Sequence, residues 1–205
     1  MPKIAYTEEE KEQIRLSLIH TGLELMSRQG IKNTTVEQIY KRVGISRTFF
    51  YSFFQAKEDL IVEALYLQQP RLIAYAQSLA NDPSLTFHEA TVKFLHSCCY
   101  GEKNGIAVLS VEEQKRIFKR LPEEKYNIFR QKQQALFGRI LEVFGIRADR
   151  ERISLFTNLI LTVLIIRKSI PNALPLFVSE AADQTAAFQI QAIADYMEQL
   201  REEDV

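Results

Sequence analysis

Apolar residues recur along most of this chain with the spacing of an amphipathic α-helix. Over residues 36–43 they come at steps of three and four, which places them on one helical face. These residues are Val36, Ile39, Tyr40 and Val43. Glycine (7 residues) and proline (6 residues) are sparse and fall largely between such periodic segments. The pattern therefore predicts an all-α fold.

Interruptions of the periodicity give approximate helix bounds. Gly30, Gly44 and Gly145 follow periodic segments, and Asn81-Asp82-Pro83-Ser84 has the composition of a turn. Pro70 lies inside an apolar segment and predicts a kink there, because proline lacks a backbone donor. We predict helices over about residues 7–28, 36–43, 57–80, 86–100, 106–120, 123–144, 149–169 and 180–201, with a short one starting at Arg47.

Residues 34–54, TTVEQIYKRVGISRTFFYSFF, have the pattern of a helix-turn-helix. Thr34 followed by Glu37 has the form of a capping box, in which a hydroxyl and a carboxylate satisfy two free amides at a helix start. Gly44 fits the left-handed residue just past the first helix, and Ser46 can cap the second. Two short helices joined by so tight a turn typically place the second one in the major groove of DNA.

Local charge supports double-stranded DNA as the partner. From residue 28 to residue 57 six basic residues stand against the single acid Glu37, although the whole chain has a formal net charge of +0. Such a basic patch gains affinity for DNA by releasing counterions condensed on the phosphates. Charge alone also fits ordinary solvated helix faces, but in combination with a helix-turn-helix it favours a DNA-binding surface.

From about Leu18 to Leu60 the chain resembles the DNA-binding domain of the TetR family of transcriptional regulators. Sixteen residues carry the resemblance: Leu18, Leu23, Leu25, Met26, Gly30, Thr35, Val36, Ile39, Gly44, Ile45, Ser46, Tyr51, Phe54, Lys57, Glu58 and Leu60. The later part of the chain resembles the family in length and helix count. The resemblance implies a three-helix DNA-binding domain over residues 1–56, and a helical effector-binding and dimerisation domain over residues 57–205.

The resemblance also implies which residues contact DNA. They are Thr34, Thr35, Ser46, Arg47, Thr48, Phe49, Tyr51 and Lys57. Tyr51, Lys57 and the amides at the Thr35 helix start would hold phosphates, and residues 46–49 would lie closest to the bases. Phe49 and Gly22 depart from the family, which commonly has a hydroxyl residue and an alanine there. Phe49 either packs inward or contacts a thymine methyl group.

The last two predicted helices carry the pattern of a subunit interface. Ala186, Ile190, Ile193, Met197 and Leu200 step by four and three, like the core positions of a coiled coil. The helix over residues 149–169 is apolar around most of its circumference, which burial within its own subunit would also explain. Members of the family that the chain resembles pair through their last two helices. The resemblance therefore implies these interface residues: Phe156, Ile160, Val163, Ile190, Ile193 and Met197.

An effector site follows from the resemblance and from the supply of aromatic residues after residue 57. Tyr75, Phe94, Tyr100 and Phe118 are the candidates to line it, although each taken singly also fits ordinary core. The expected effector is an apolar or amphipathic small molecule. His96 and Cys99 share a helix face, but nothing near them completes the four ligands that zinc prefers. We therefore predict no metal and no cofactor, and inert Cys98 and Cys99.

The remaining signals concern enzyme activity and location. The sequence contains no GxSxG, P-loop, GxGxxG or HExxH motif, so we do not expect an enzyme. Residues 1–12 lack the apolar segment of a secretory signal, and polar residues interrupt the most apolar stretch, 153–166. We expect a cytoplasmic, ligand-responsive repressor that binds a palindromic operator as a homodimer. The alternative is a helical protein-interaction or non-specific nucleoid-binding protein without an effector.

Overall fold

The computed structural model describes residues 6–101, 104–169 and 178–203, and all regular structure within these ranges is helical. The helices are α1 Glu8–Gln29, α2 Val36–Val43, α3 Arg47–Phe53, α4 Lys57–Ala80, α5 Phe87–Cys99, α6 Val111–Arg120, α7 Glu123–Val143, α8 Arg150–Ser169 and α9 Ala182–Glu203. A single 3-10 turn, Ser179–Ala181, precedes α9. The prediction of an all-α fold is confirmed.

Capping boxes set the start of several helices. At Thr7, Thr86 and Ser110 the hydroxyl accepts a hydrogen bond from the amide three residues on, where a glutamate reaches back to the cap. The box at Ser110 corrects one prediction, because α6 begins at Val111 and not near residue 106. Residues 106–110 are apolar enough to continue a helical pattern, but the cap starts the helix after them.

The apolar side chains form two separate cores. The head core joins α1, α2, α3 and the first half of α4, and its members include Leu18, Ile39, Phe50, Leu60, Ile61 and Leu65. The body core joins the second half of α4 with α5, α7, α8 and α9, and includes Ala76, Phe94, Ile140, Phe156, Ile190 and Met197. The helix α4 therefore belongs to both cores, and it continues through Pro70. The domain boundary at residue 56 stays a prediction, since the head core extends past it into α4.

Two helices from the body also pack into the head core. Ile117 of α6 and Phe129 of α7 are buried there, together with Ala107 from the connection before α6. The buried Gln68 side chain of α4 accepts from the Ala107 amide (2.7 Å) and donates to the Ala107 carbonyl (3.0 Å). These two buried hydrogen bonds tie the connection before α6 to α4.

A glycine allows α1 and α4 to approach each other closely. A Cβ atom at Gly22 would lie 2.6 Å from Cδ2 of Leu60, which is fully buried. Here the chain departs from the alanine common in the family. The missing methyl group makes room for Leu60 in the head core, so α1 holds the first turns of α4 tightly.

Candidate nucleic-acid interface

A capping box closes the exposed start of α2. Thr35 is the N-cap: its hydroxyl accepts from the Gln38 amide (3.2 Å), and its own amide donates to the Gln38 side chain (2.8 Å). The capping box is therefore Thr35 with Gln38, and the predicted pair of Thr34 with Glu37 is wrong. Thr34 is only 1% exposed and its hydroxyl donates to the Gly30 carbonyl (2.9 Å). Its side chain supports the turn and is out of reach of a ligand.

The second helix of the motif, α3, is anchored by one face and exposed on the other. The Ser46 hydroxyl accepts from the Phe49 amide (3.2 Å) and starts the helix. Phe50 on α3 and Phe54 just after it are buried in the head core. The opposite face exposes Arg47, Thr48, Tyr51 and Ser52 to solvent. The sequence thus produces a short helix with a fixed orientation and an outward polar face.

Aromatic contacts fix two further side chains of α3. The Arg47 guanidinium lies 5.8 Å from the centre of the Tyr51 ring, a cation–π distance that keeps both on one flank. Phe49 is half-buried and contacts Phe53 edge-on, with ring centres 5.0 Å apart. Its other face stacks on Tyr6, again at 5.0 Å. Of the two roles left open for Phe49, the geometry favours packing.

Ion pairs reduce the basic excess that the sequence indicated. Arg42 binds the Glu24 carboxylate at 2.8 and 3.0 Å, and Arg28 approaches the same group at 3.4 Å. Lys41 pairs with Glu37 at 2.6 Å. A count over residues 28–57 missed Glu24 because this acid lies in α1, one helix earlier. Since these pairs are exposed, phosphates can compete for the same cations.

Lys57 is held more tightly than the sequence suggested. It is the first residue of α4, and its Nζ donates to the Ile31 carbonyl (2.5 Å). Partial burial lowers the pKa of Lys57, while the nearby Glu113 acts in the opposite direction. The ammonium group thus ties α4 to the turn before α2, at the base of the helix-turn-helix.

The four side chains predicted to line an effector site do not surround one cavity. Phe94 and Tyr100 are buried in the body core, and Tyr75 packs on Phe94 with ring centres 6.0 Å apart. Phe118 is 61% exposed and contacts Tyr126, because the inward residue of α6 is its neighbour Ile117. The prediction is therefore wrong for Phe118, and the other three form close-packed core.

Tyr100 takes part in a polar cluster that joins three helices. Its hydroxyl donates to Asp183 of α9 (3.0 Å), and the Arg167 guanidinium of α8 lies 3.7 Å from its ring centre. Arg167 also donates to the Cys99 carbonyl at the end of α5 (2.9 Å). Burial is the main cause that raises the pKa of Tyr100. These contacts explain Tyr100 as a structural residue.

The residues predicted to form the subunit interface face inward. Phe156, Val163, Ile190, Ile193 and Met197 are all buried in the chain's own body core, and Ile160 packs partly buried against it. The 4-3 pattern is therefore the contact of α8 and α9 with their own subunit. Two of the five buried side chains, Val163 and Ile193, also form the floor of an open groove between α8 and α9.

A different face of α8 and α9 is apolar and open. We call it the pairing face; its exposed or half-buried residues are Leu155, Leu159, Thr162, Phe188, Gln189, Ala192 and Tyr196. They line a groove of about 350 Å³. Phe188 is 74% exposed, and the buried Oε1 of Gln189 has no hydrogen-bond partner within the described part of the chain. Such exposure of a large aromatic residue is typical of a contact surface.

A second cleft, of about 450 Å³, lies at the end of the body away from α3. Its lining includes Asp82 and Phe87 from the connection and start of α5, Phe144 and Gly145 after α7, and Arg201 of α9. Arg201 lies 4.8 Å from the centre of the Phe87 ring. None of the four residues predicted for the effector site lines it.

The described ranges hold two free cysteines, Cys98 half-buried and Cys99 buried. These ranges contain no group of three His, Cys, Asp or Glu side chains arranged to hold a metal ion. Burial raises the pKa of the Cys98 thiol to about 12, and Cys99 is buried beside it. Within the same ranges no helix is long and apolar enough to cross a membrane.

Comparison with known proteins identifies the head. Residues 18–64 match the family described as bacterial regulatory proteins, tetR family. The chain is similar to the HTH-type transcriptional regulator AcrR of Shigella flexneri, with 27% identity over 104 residues, or 49% of this chain and 48% of that protein. The match thus spans about half the length of this curated relative. The structure of the reduced form of E. coli NemR has the same fold, with a TM-score of 0.51 at 12% identity over 91% of this chain and 97% of that one. The head of this chain, over residues 18–64, therefore matches the tetR family of bacterial regulatory proteins.

Proposed function

We propose that the chain is a cytoplasmic, ligand-responsive repressor that binds a palindromic operator as a homodimer. One observation carries the proposal: α3 is fixed by Phe50 and Phe54 and turns Arg47, Thr48, Tyr51 and Ser52 outward. A short, rigid helix with an outward polar face fits the major groove, where side chains read base edges.

The proposed DNA contacts fall into two groups: contacts to phosphates, which position the protein, and contacts to bases, which recognise the sequence. The N-terminus of α2 and the Tyr51 hydroxyl would hold phosphates, while Ser46, Arg47 and Thr48 would lie nearest the bases. The Lys57 ammonium group already donates one hydrogen bond to the Ile31 carbonyl, so it supports the motif. Only its remaining N–H groups can donate to a phosphate. Thr34 contributes through the turn, since its side chain is buried.

A second copy of this chain is the proposed occupant of the pairing face. The face lies on α8 and α9, has few charges, and carries an unpaired Gln189 oxygen that a donor from a partner can satisfy. A two-fold axis through it would bring Phe188 of each copy toward the groove of the other. The two copies of α3 must then lie about 34 Å apart to meet successive major grooves.

Ligand response is typical of the family, and we propose that it is kept here. The effector is expected to be an apolar or amphipathic molecule. The close packing of Tyr75, Phe94 and Tyr100 argues against these side chains as the lining of its site. Gln69 of α4 and Gln133 of α7 each have a buried side-chain nitrogen without a partner among the described residues. Because α4 and α7 pack together, these amides are better candidates for the polar part of an effector site.

Selection of duplexes from a random library, followed by anisotropy titrations, tests the proposal. We expect one palindromic sequence to be enriched and to bind at least about 10³-fold more tightly than a shuffled duplex at physiological salt. Equal affinity for both duplexes, with the steep salt dependence of phosphate contacts, would instead favour the non-specific nucleoid-binding alternative. The Arg47→Ala variant is the control that should lose sequence preference while keeping salt-dependent binding.

A further inference from the structure

Tyr6 is attached to α3 although it lies outside the helix-turn-helix. It precedes Thr7, the N-cap of α1, and its ring stacks on Phe49 with centres 5.0 Å apart and planes 14° apart. Phe49 is supported in turn by Phe53. Tyr6 nevertheless remains 48% exposed. An exposed phenol is therefore held against α3 by the ring of Phe49, which Phe53 supports from within the same helix.

The helical geometry of α3 tells on which side Tyr6 lies. Successive residues turn by about 100°, so Thr48 and Ser52 mark the centre of the outward face. Arg47 and Tyr51 lie on one flank of that centre, and Phe49 lies on the other. Since Tyr6 stacks on Phe49, the two exposed tyrosines stand on opposite flanks of the same surface.

We propose that Tyr6 is a second phosphate-contacting tyrosine, whose hydroxyl donates to the DNA backbone on the flank opposite Tyr51. The inference rests on the proposed operator binding. Phosphate oxygens accept hydrogen bonds, and the phenol is a donor that Phe49 cannot supply at this flank. The stack on Phe49 holds the ring in advance, so little side-chain entropy is lost on binding. Tyr6 thereby supplies a hydroxyl group on the flank where Phe49 replaces the hydroxyl residue common in the family.

Tyr6→Phe tests the hydroxyl alone, because it keeps the stacked ring. We expect it to weaken binding to the selected operator and to random duplex alike, by roughly 3–10-fold for each protomer. Tyr6→Ala also removes the stack and should weaken binding further. Tyr126→Phe, which removes a phenol in α7, is the matched control and should bind like wild type.

Replacing single phosphates of the selected duplex by uncharged methylphosphonates locates the contact. One replacement in each half-site should weaken wild-type binding but leave the affinity of Tyr6→Phe unchanged, since that variant has already lost the contact. Melting temperatures of wild type and Tyr6→Phe should agree. If Tyr6→Phe binds like wild type and only Tyr6→Ala weakens binding, Tyr6 merely packs and the inference is overturned. If wild-type protein shows no sequence preference, the proposed function itself fails.

Discussion

Replacing Phe188 by lysine tests the pairing face at its most exposed apolar position. A phenylalanine can bury about 150–250 Å² in a contact, and 74% of this side chain is open to solvent. Burial of about half of that open area contributes roughly 1.5–2.5 kcal/mol at 25 cal/mol per Å². A two-fold dimer contains the contact twice, so its loss should weaken association by roughly 10²–10⁴-fold.

Ile190→Lys is the matched variant that separates the pairing face from the core. Ile190 lies on the same helix as Phe188 but is only 2% exposed and packs in the body core. A charge placed there is desolvated without a partner, so we expect loss of helicity or aggregation. Phe188→Lys should instead keep wild-type helicity and melting behaviour as a monomer, apart from the stability that dimerisation supplies.

Sedimentation velocity at micromolar concentration, with circular dichroism on the same samples, measures both properties. The expected results are a dimeric wild type, a folded monomeric Phe188→Lys and an unfolded Ile190→Lys. The monomer should also bind the operator weakly, because a single half-site provides few contacts. A dimeric Phe188→Lys together with a folded, monomeric Ile190→Lys would reverse our assignment of the two faces. A monomeric wild type would refute the dimer.

Three further predictions concern the head and the thiols. Arg47→Ala should relax the base preference at one operator position by roughly 1–3 kcal/mol in repeated selections, whereas Tyr51→Phe should weaken all duplexes alike. Gly22→Ala should lower the urea-derived stability by about 1–2 kcal/mol, because overpacking against Leu60 outweighs the gain in helix propensity. Cys98, whose raised pKa of about 12 keeps the thiol protonated at pH 8, should react with Ellman's reagent only after unfolding.

Helix bounds followed closely from local chemistry. The predicted segments 57–80 and 123–144 correspond to α4 and α7 to within a residue, because turn residues and Pro122 mark their ends. The start of α6 was misplaced since residues 106–110 look helical in isolation. There the Ala107 backbone bonds to the Gln68 side chain, a long-range contact that no local pattern reveals.

Most of the predicted interface residues lie in the chain's own core, for a general physical reason. An apolar stripe at steps of four and three shows that a helix face is buried, but does not tell which surface covers it. In α9 the stripe through Ile190, Ile193 and Met197 packs on the chain's own helices. The pairing face is marked by single large residues on the polar side, such as Phe188 and Tyr196. Recognising them required the position of α8 beside α9.

The arrangement of the two cores restricts how an effector could act on DNA binding. Ile117 and Phe129 reach the head core from α6 and α7, and Arg120 at the end of α6 donates to the Gln55 carbonyl just before α4 (3.5 Å). Close-packed cores transmit displacement and do not absorb it. We therefore expect a shift of α6 or α7 in the body to move the first turns of α4 together with α1, which packs on Leu60 at Gly22. In the proposed dimer, the pairing face would fix the bodies, so such a shift appears as a changed separation of the two copies of α3.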